Sequence, residues 1–393
     1  MKILSINSGS SSLKFCFFEM DNETVIASGA IERIGIDGSS YKIKYKGDTI
    51  SEDLEIPDHD HAVQILLEHF LSLEIVSSYE EIQAIGHRIL HGKDIFTKSV
   101  LITSSVMEQL EKLVDLGPLH MRANIAGIKA FQEVLPDAVQ VAVFDTAFHQ
   151  TMEEEAYLYP VPYQWYEKYG VRKYGFHGIS HQYIAEAVKK LLGKDHFKLI
   201  SCHIGNGGSV AAIRDMEVVD TSMGFTPLAG IMMGTRSGDV DPSIIPYMME
   251  KEGKNASEIV DDLNRVSGVL GLSEYSSDMR DLIKKCEEGS SKAILAKNKY
   301  VRRVVDYIAQ YYVLLEGVDV IVFTAGVGEN NIPIRREICE KLSCLGVKID
   351  LDSNNICGDF VQLNTLDSAI NVYVIPTNEE LMIARNTLKF VNR

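Results

Sequence analysis

The sequence lacks the features that usually mark membrane-embedded, disulfide-bonded and nucleic-acid-binding proteins. No apolar run approaches the ~20 residues that a bilayer-spanning helix needs, and the N-terminus shows no signal-peptide core. Its six cysteines include no CxxC pair and no zinc-like spacing with histidine. A net charge of −16 argues against a nucleic-acid or anionic-membrane surface. We therefore expect a cytoplasmic protein with reduced thiols, no nucleic-acid partner and no membrane partner.

The length and the hydrophobic content indicate two domains. The chain has 393 residues, of which 46% are hydrophobic, enough for two full-sized cores. Because the overall charge is negative, an anionic ligand would need a local group of positive side chains and backbone N–H groups.

The glycine-rich segment from His203 to Ser209 (HIGNGGS) is the most informative stretch of the chain. It lies between two short β-type runs, 198–201 and 210–213, which predict a strand, a tight turn and a second strand. Backbone N–H groups of such a turn can converge on an anion, most often a phosphate. The alternative is a hairpin that merely needs glycines with positive φ.

The N-terminus repeats this pattern. A β-type run at 3–6 is followed by the small polar turn 7–12 and by a second run at 13–18, which carries Lys14. Two such hairpins half a chain apart indicate an internal duplication. We expect two similar α/β halves, each with a phosphate-binding hairpin, facing one another across a nucleotide cleft.

Two charged residues lie near the ends of predicted strands. Arg88 follows the predicted strand 81–86, and strand ends of α/β sheets border the ligand crevice, although a surface ion pair is the alternative. Asp145 follows the predicted strand 139–144, where an acid often holds a metal or orients a catalytic group. A helix N-cap is the alternative for Asp145.

His177 and Arg236 lie in segments of small residues. Glycines on both sides of Phe176-His177 suggest close packing of backbone against a ligand, although a single histidine is more often structural. The segment 232–242 has no periodic apolar pattern and is predicted to be a loop around Arg236. An arginine in such a loop can neutralise charge on a transferring phosphoryl group.

Further along, the predicted strand 319–324 ends in a Gly-x-Gly segment, 325–330, of the kind found at nucleotide sites. In the preceding helix, predicted over 291–315, an apolar stripe would belong to the core or to an oligomer face; it consists of Val301, Val305, Ile308, Tyr312 and Leu315. A terminal helix follows the segment Pro376–Glu380.

Together, these segments resemble the acetate kinase family, within the acetate and sugar kinase, heat-shock chaperone and actin superfamily. The resemblance runs the length of the chain and rests on an ordered set of motifs: Asn7–Lys14, His87-Arg88, Phe144–His149, Gly175–Gly178, His203–Ser209, Gly234–Asp239, Gly326–Asn330 and Glu379. It implies two duplicated ribonuclease H-like (actin-like ATPase) domains, 1–150 completed by the helix 379–393, and 151–378. It also implies a homodimer and reversible phosphoryl transfer from ATP to acetate, giving acetyl phosphate and ADP, with Mg²⁺, for which Mn²⁺ could substitute.

The resemblance assigns roles to individual residues. Asn7 and Glu379 would lie at the metal, and His177, Arg236 and the active-site acid Asp145 would be catalytic. Arg88 would meet the substrate carboxylate, with the acyl pocket formed by Leu90, Leu119, Phe176 and Pro227. The nucleotide site would comprise Lys14, His203, Ile204, Gly205, Asn206, Gly207, Asp278, Met279, Arg280, Gly326, Val327, Gly328, Glu329 and Asn330. Two positions depart from the family: Lys93 replaces a usual glycine, and Leu90 is larger than the expected valine.

A carboxylate substrate sets the chemistry, because it is already ionised at pH 7 and needs no general base. Catalysis would come from in-line positioning and charge neutralisation. Asp145 is then better interpreted as an outer-shell metal group or an arginine-orienting group than as a base. Two alternatives stay open: a propionate or butyrate kinase, and a chaperone or filament ATPase on the same scaffold, which would have no need of Arg88, His177 and Arg236.

Overall fold

The computed structural model of the protein describes residues 1–391, which divide into two compact units. Unit 1 consists of Met1–Phe148 with Asn378–Arg393, and unit 2 of His149–Thr377. Residues 392 and 393, which end the predicted segment 379–393, lie outside the described residues. Within residues 1–391, no helix is long and apolar enough to cross a membrane.

Unit 1 is an eight-stranded sheet with helices packed on it. Its helices are α1 His59–Ser72, α2 Ser104–Lys112, α3 Pro118–Val134 and α14 Glu379–Val391. Its strands are β1 Lys2–Gly9, β2 Ser12–Glu19, β3 Thr24–Glu32, β4 Ser40–Tyr45, β5 Asp48–Asp53, β6 Ala84–Ile89, β7 Val100–Leu101 and β8 Val139–Phe144.

The strand order of unit 1 is β5-β4-β3-β2-β1-β6-β8-β7. β1 and β2 form the expected hairpin, in which Asn7 is paired with Lys14, while β1, β6 and β8 run parallel. Helix α14 approaches β6 at Gly86, where an added Cβ would lie 2.2 Å from Thr387 Oγ1. Only glycine permits this contact, so the sequence at β6 is fitted to the helix at the far end of the chain.

Unit 2 contains a six-stranded sheet and ten helices among the described residues. Its strands are β9 Lys198–Ile204, β10 Gly208–Arg214, β11 Glu217–Thr221, β12 Val320–Thr324, β13 Val361–Gln362 and β14 Asn371–Val374. Its helices are α4 Glu154–Tyr157, α5 Gln164–Tyr169, α6 Gly178–Leu192, α7 Ile244–Glu252, α8 Ala256–Arg265, α9 Gly268–Ser273, α10 Met279–Glu287, α11 Ser291–Leu314, α12 Ala325–Asn330 and α13 Ile332–Lys341.

The two sheets share a common order. In unit 2 the order is β11-β10-β9-β12-β14-β13, with the hairpin β9-β10 antiparallel and β9, β12 and β14 parallel. The order β10-β9-β12-β14 repeats β2-β1-β6-β8 of unit 1. In each sheet, the first strand of the hairpin is followed by two strands that run parallel to it. The predicted α/β class with two similar halves is confirmed.

Several predicted boundaries were wrong around Arg88. The strand expected over 81–86 is β6, Ala84–Ile89, and Tyr79–Glu81 form a 3₁₀ turn instead. Arg88 therefore lies within the strand, and Leu90 lies one residue beyond it. Further along, α2 ends at Lys112 and is followed by the 3₁₀ turn Val114–Leu116, a common way for a helix to tighten at its end.

The apolar stripe of α11 is rotated from the expected one. Val304 and Tyr311 are buried, whereas Val305 and Tyr312 are only partly buried. Spacings of three-four and of four-three residues both fit a helix, so periodicity alone did not choose between them. The Gly-x-Gly segment 325–330 is helix α12, which begins directly after β12, because the local fold overrides the weak helix propensity of its two glycines.

Candidate active site

Polar side chains of unit 1 meet at the carboxyl ends of its parallel strands. Arg88 Nη2 donates to Asp145 Oδ2 at 2.9 Å, and Nη1 donates to Asn7 Oδ1 at 3.3 Å. The three residues come from β6, from the residue after β8 and from β1, which are neighbours in the sheet. Asp145 thus contacts the guanidinium of Arg88, as an arginine-orienting group would.

Glu379, in the first turn of α14, adds a second carboxylate to this cluster. Burial, followed by the charge of Asp145, raises the pKa of Glu379 to about 7, against the opposing charges of Arg88 and Lys14. Two acids and an amide supply oxygen ligands of the kind that Mg²⁺ prefers. Among residues 1–391, no group of three or more His, Cys, Asp or Glu could hold a metal. The donor set therefore fits an ion that keeps water or phosphate ligands.

The four predicted acyl-pocket residues divide between the units. Leu90 is buried in unit 1, with its Cδ2 2.7 Å from where a Cβ at Gly117 would lie. Leu119, two residues after Gly117, is 62% exposed. Phe176 and Pro227 belong to unit 2, where Phe176 is fully buried. Since Leu90 lies beyond β6, strand alternation does not place it on the side of Arg88; the packing at Gly117 positions it instead.

Lys93 adopts the conformation that its glycine counterpart in the family would favour. Its φ is 51°, in the left-handed region, and its N–H donates to His91 Nδ1 at 2.9 Å. A lysine there carries strain that glycine would not. The departure from the family therefore leaves the turn in place.

The glycine-rich turn of unit 2 does not use positive φ. Gly205, Gly207 and Gly208 all lie outside the left-handed region, so the alternative reason for these glycines was wrong. Close packing explains Gly208 of the turn, where a Cβ would lie 2.8 Å from Ile231 Cδ1. It also explains Gly234, which packs on the turn and where a Cβ would lie 2.0 Å from Asn206 Oδ1.

Arg236 is held beside this turn by its backbone. Met233 N–H donates to Arg236 O at 3.0 Å, and Ser237 N–H donates to Leu263 O at 2.9 Å. The guanidinium Nη1 contacts only neutral acceptors among the described residues, Pro227 O at 3.4 Å and Met233 Sδ at 3.8 Å. Burial lowers its pKa, so this is a partly buried cation without a bonded carboxylate.

His177 lies at the same place. Its Nε2 and Arg236 Nη1 are 3.7 and 3.6 Å from where a Cβ at Gly207 would lie. It begins α6 with a φ of 60°, unusual for a non-glycine residue and typical of functional positions. The ring stacks on that of His203, with centroids 4.2 Å apart. Arg236, His177, His203 and the glycine turn thus form one group in unit 2.

A cavity of about 530 Å³ opens next to this group. Predicted nucleotide residues that line it are Gly205, Asn206, Asp278, Met279, Arg280, Gly326, Val327 and Asn330. Residues that the sequence analysis missed are Gly234, Ser277, Tyr300 and Asn331. Gly234 lies within the predicted loop 232–242, and Ser277 and Asn331 adjoin predicted nucleotide residues, which are usable signals. Tyr300 comes from the middle of α11 and has no such signal.

Other predicted nucleotide residues have different surroundings. Lys14 belongs to unit 1, opposite Asn7, and Ile204 is a core residue against Gly328. Glu329 turns back on its own helix, where Oε1 accepts Ala325 N–H at 2.7 Å and Thr377 N–H at 3.1 Å. Glu329 therefore braces the end of β12.

Asp278 and Arg280 bond to each other at the cavity wall. Asp278 caps α10 by accepting Arg280 N–H at 2.7 Å, and the Arg280 guanidinium lowers the pKa of Asp278 to about 2. The pair is partly exposed, so a bound ligand could contact either member.

The repeated sheet order and the glycine turn beside a cavity define this chain as an α/β protein with the two-domain actin-like ATPase fold. A sequence model described as the acetokinase family matches residues 2–385, and the chain belongs to that family.

Similar proteins agree with the assignment. The chain is 52% identical to a Bacillus cereus protein named acetate kinase, over 100% of this chain and 99% of that protein. The crystal structure of Porphyromonas gingivalis acetate kinase matches with a TM-score of 0.95 at 41% identity, covering 99% of both chains. A Francisella tularensis structure named propionate kinase matches with a TM-score of 0.94 at 39% identity, again covering 99% of both.

Proposed function

We propose that this protein is an ATP:acetate phosphotransferase that forms acetyl phosphate and ADP reversibly, by direct in-line attack of the carboxylate on the γ-phosphate. The observation that carries the proposal is Arg236, a partly buried guanidinium beside a glycine turn, with no carboxylate bonded to it among the described residues. Such a cation is available for the charge of a phosphoryl group.

The nucleotide would bind to unit 2. The cavity lined by Gly205, Asn206 and Val327 would take it, with Asp278–Arg280 at its wall. Arg236 would then neutralise charge on the phosphoryl oxygens and His177 would donate a hydrogen bond to them, since both lie at Gly207. This arrangement stabilises charge and requires no covalent intermediate on the protein.

The carboxylate substrate would bind to Arg88 of unit 1. Its Nη atoms are bonded to Asn7 and Asp145, while Nε is buried and has no partner in the described residues. Asp145 holds the guanidinium in place and does not act as a base, because the nucleophile is already ionised. Leu90 and Leu119 would bound the acyl group in unit 1.

The metal would be Mg²⁺, which Mn²⁺ could replace, held through Asn7 and Glu379 with Asp145 nearby. When bound, the ion would offset charge on the β- and γ-phosphate oxygens. Glu379 has its pKa raised to about 7 by burial and by the charge of Asp145, and a nearby cation would favour its ionised form.

We also propose that units 1 and 2 are the two domains of each subunit, and that the protein is a cytoplasmic homodimer. Exposed apolar side chains of unit 2, among them Tyr247, Val266 and Val313, could supply a contact between copies. Light scattering on the purified protein would give the mass in solution, and a mass of one chain would remove the dimer.

The activity is tested by trapping acyl phosphate with hydroxylamine while ADP is followed separately. Acetate, propionate and butyrate are supplied in turn, with ATP and Mg²⁺. We expect acetate to give the highest kcat/KM. A preference for propionate would favour the alternative suggested by the similar propionate kinase, and ADP release without any acyl phosphate would favour a conformational ATPase.

A further inference from the structure

A chain of buried hydroxyls and imidazoles runs behind His177. His177 Nδ1 lies 2.9 Å from Ser209 Oγ, and the same hydroxyl lies 2.8 Å from His181 Nε2. His181 Nδ1 lies 2.9 Å from Ser201 Oγ. The last three residues, Ser209, His181 and Ser201, are all fully buried.

Counting the hydrogen-bond donors along these four residues shows in which direction the hydrogen bonds run. Among residues 1–391, the hydroxyl of Ser201 has a single hydrogen-bond partner, His181 Nδ1. If Ser201 donates, His181 must carry its proton on Nε2 and donate to Ser209 Oγ. Ser209 then donates its own proton to His177 Nδ1. Every member of the chain is satisfied.

The opposite direction leaves a buried donor without an acceptor. His177 Nδ1–H would donate to Ser209, Ser209 to His181 Nε2, and His181 Nδ1–H to Ser201. The hydroxyl hydrogen of Ser201 would then have nowhere to go, and folded proteins avoid such groups. Burial, followed by the charges of neighbouring histidines, lowers the pKa of His181 well below its usual range, so His181 stays neutral and has only one ring proton to give.

We propose that Ser201, His181 and Ser209 are positioning residues that hold His177 as the neutral tautomer protonated on Nε2. That nitrogen is the one on the side of Gly207, beside Arg236 Nη1. A phosphoryl oxygen at this place requires a hydrogen-bond donor. The three positioning residues therefore leave His177 Nε2–H to donate to the transferring group. The kinetic part of this inference rests on the proposed function, whereas the tautomer does not.

The neighbouring histidine shows the contrast. His203 Nδ1 lies 2.8 Å from Ser180 Oγ, which lies 2.8 Å from Thr377 Oγ1. Thr377 is only half-buried, so solvent can complete its hydrogen bonds in either direction. The hydroxyls behind His203 therefore do not by themselves fix its tautomer, although they come from the same residue types.

Nitrogen NMR of the ligand-free full chain, labelled at histidine with ¹⁵N, tests the tautomer directly. Protonated and unprotonated ring nitrogens of neutral imidazole have well-separated shifts, and His177→Gln and His181→Gln each identify one ring by the loss of its signals. We expect Nε2 protonated and Nδ1 unprotonated in both rings. A proton on Nδ1 of either ring in the wild type would overturn the proposal, whatever the enzyme does.

Ser209→Ala removes the final donor and Ser209→Thr keeps it. In Ser209→Ala, we expect the His177 Nδ1 shift to move towards that of a nitrogen without a donor and the Nδ1–H form to appear. We expect kcat to fall about tenfold, as for loss of one aligned donor in part of the population, with KM for ATP unchanged. Ser209→Thr should restore both readouts.

Ser180→Ala is the matched control for the tautomer, because it removes a serine hydroxyl from the same helix as His181 but from the chain of His203. It should leave the His177 shifts unchanged. If Ser209→Ala folds and its His177 shifts equal those of the wild type, Ser209 does not set the tautomer. If the wild-type protein forms no acyl phosphate while its tautomers are as expected, the proposed function fails and the assignment of the tautomer stands.

Discussion

Each unit carries one arginine of the proposed site, and the two arginines differ in their partners. Arg88 in unit 1 is bonded to Asp145 and lies near Glu379. Burial works against its charge, yet these acids leave its pKa raised. Arg236 in unit 2 has only neutral contacts among residues 1–391, and burial lowers its pKa. A cation paired with acids, such as Arg88, suits binding of an anion that is present in the ground state. A cation without a bonded carboxylate, such as Arg236, suits stabilisation of negative charge that grows during the reaction.

We expect Arg236→Ala to have the largest effect on activity and to test the role of the unbalanced arginine directly. An arginine that stabilises a transferring phosphoryl group is worth ~10³–10⁵ in turnover, so we expect kcat to fall by at least ~10² with little change in KM for ATP. Steady-state kinetics measure both. Arg265→Ala is the control, since Arg265 lies on the surface of the same unit. Near-normal kcat in Arg236→Ala would assign its role to another group.

Arg88→Ala should act differently, because its partner is a ground-state anion. We expect KM for acetate to rise by about tenfold or more and kcat to fall as well, since losing a charge-assisted pair costs ~1.5–3 kcal/mol. The measurement is the acetate dependence of the rate at saturating ATP. An unchanged KM for acetate would remove Arg88 from the carboxylate site and with it the distinction between the two arginines.

Glu379→Gln tests whether unit 1 contributes to the metal. We expect about tenfold more Mg²⁺ for half-maximal rate, because an anionic ligand of the ion or of its waters is lost. Glu380→Gln removes the same charge one residue along α14 and should have a smaller effect. Equal shifts in both variants would indicate a general field of negative charge rather than a ligand.

Leu90→Ala tests the acyl pocket. We expect kcat/KM for propionate to rise relative to acetate by about tenfold, at the lower end of the ~10–200-fold that apolar pockets allow per methylene. Because Leu90 is buried against Gly117, the variant should also lose ~2–5 kcal/mol of stability, so a thermal melt accompanies the kinetics. If the ratio of kcat/KM for propionate to that for acetate does not change in a folded variant, Leu119, Phe176 or Pro227 limits the size of the acyl group instead.

The smallest expected effect concerns acid stability. Burial lowers the pKa of His87 and of His91 in unit 1 to about 4. Since their unfolded pKa is ~6.5, these neutral rings stabilise the fold above that value, and the contribution is lost as pH falls towards 4. The slope is about 1.4 kcal/mol per pH unit for each histidine. Urea unfolding at several pH values would show a shallower slope in His87→Gln; an unaltered slope would contradict the assignment.

The site was predictable where local sequence determines it. The strand Val139–Phe144 and the hairpins around Asn7 and Gly205 follow from β-type runs and small polar turns, and Asp145 follows from its place after a strand. The bond between Arg88 and Asp145 did not follow, because it depends on the order β1-β6-β8.

Long-range packing placed the residues that the sequence concealed. Tyr300 reaches the cavity from a helix whose buried face had two equally periodic alternatives. Ser201 and Ser209 meet His181 only because β9 and β10 pair and α6 packs on them. No local pattern distinguishes those serines from any other buried serine in a strand.

The position of α14 has a consequence for synthesis. Unit 2 is a continuous stretch of chain, whereas unit 1 needs Glu379–Val391 to cover β6, with Ser5 Oγ donating to Glu380 O at 2.7 Å. The ribosome makes residues 1–148 first, but their sheet keeps one face uncovered until the whole of unit 2 has been translated. In a released chain that ends at Asn378, unit 2 should therefore resist protease while unit 1 stays open to cleavage and to chaperones.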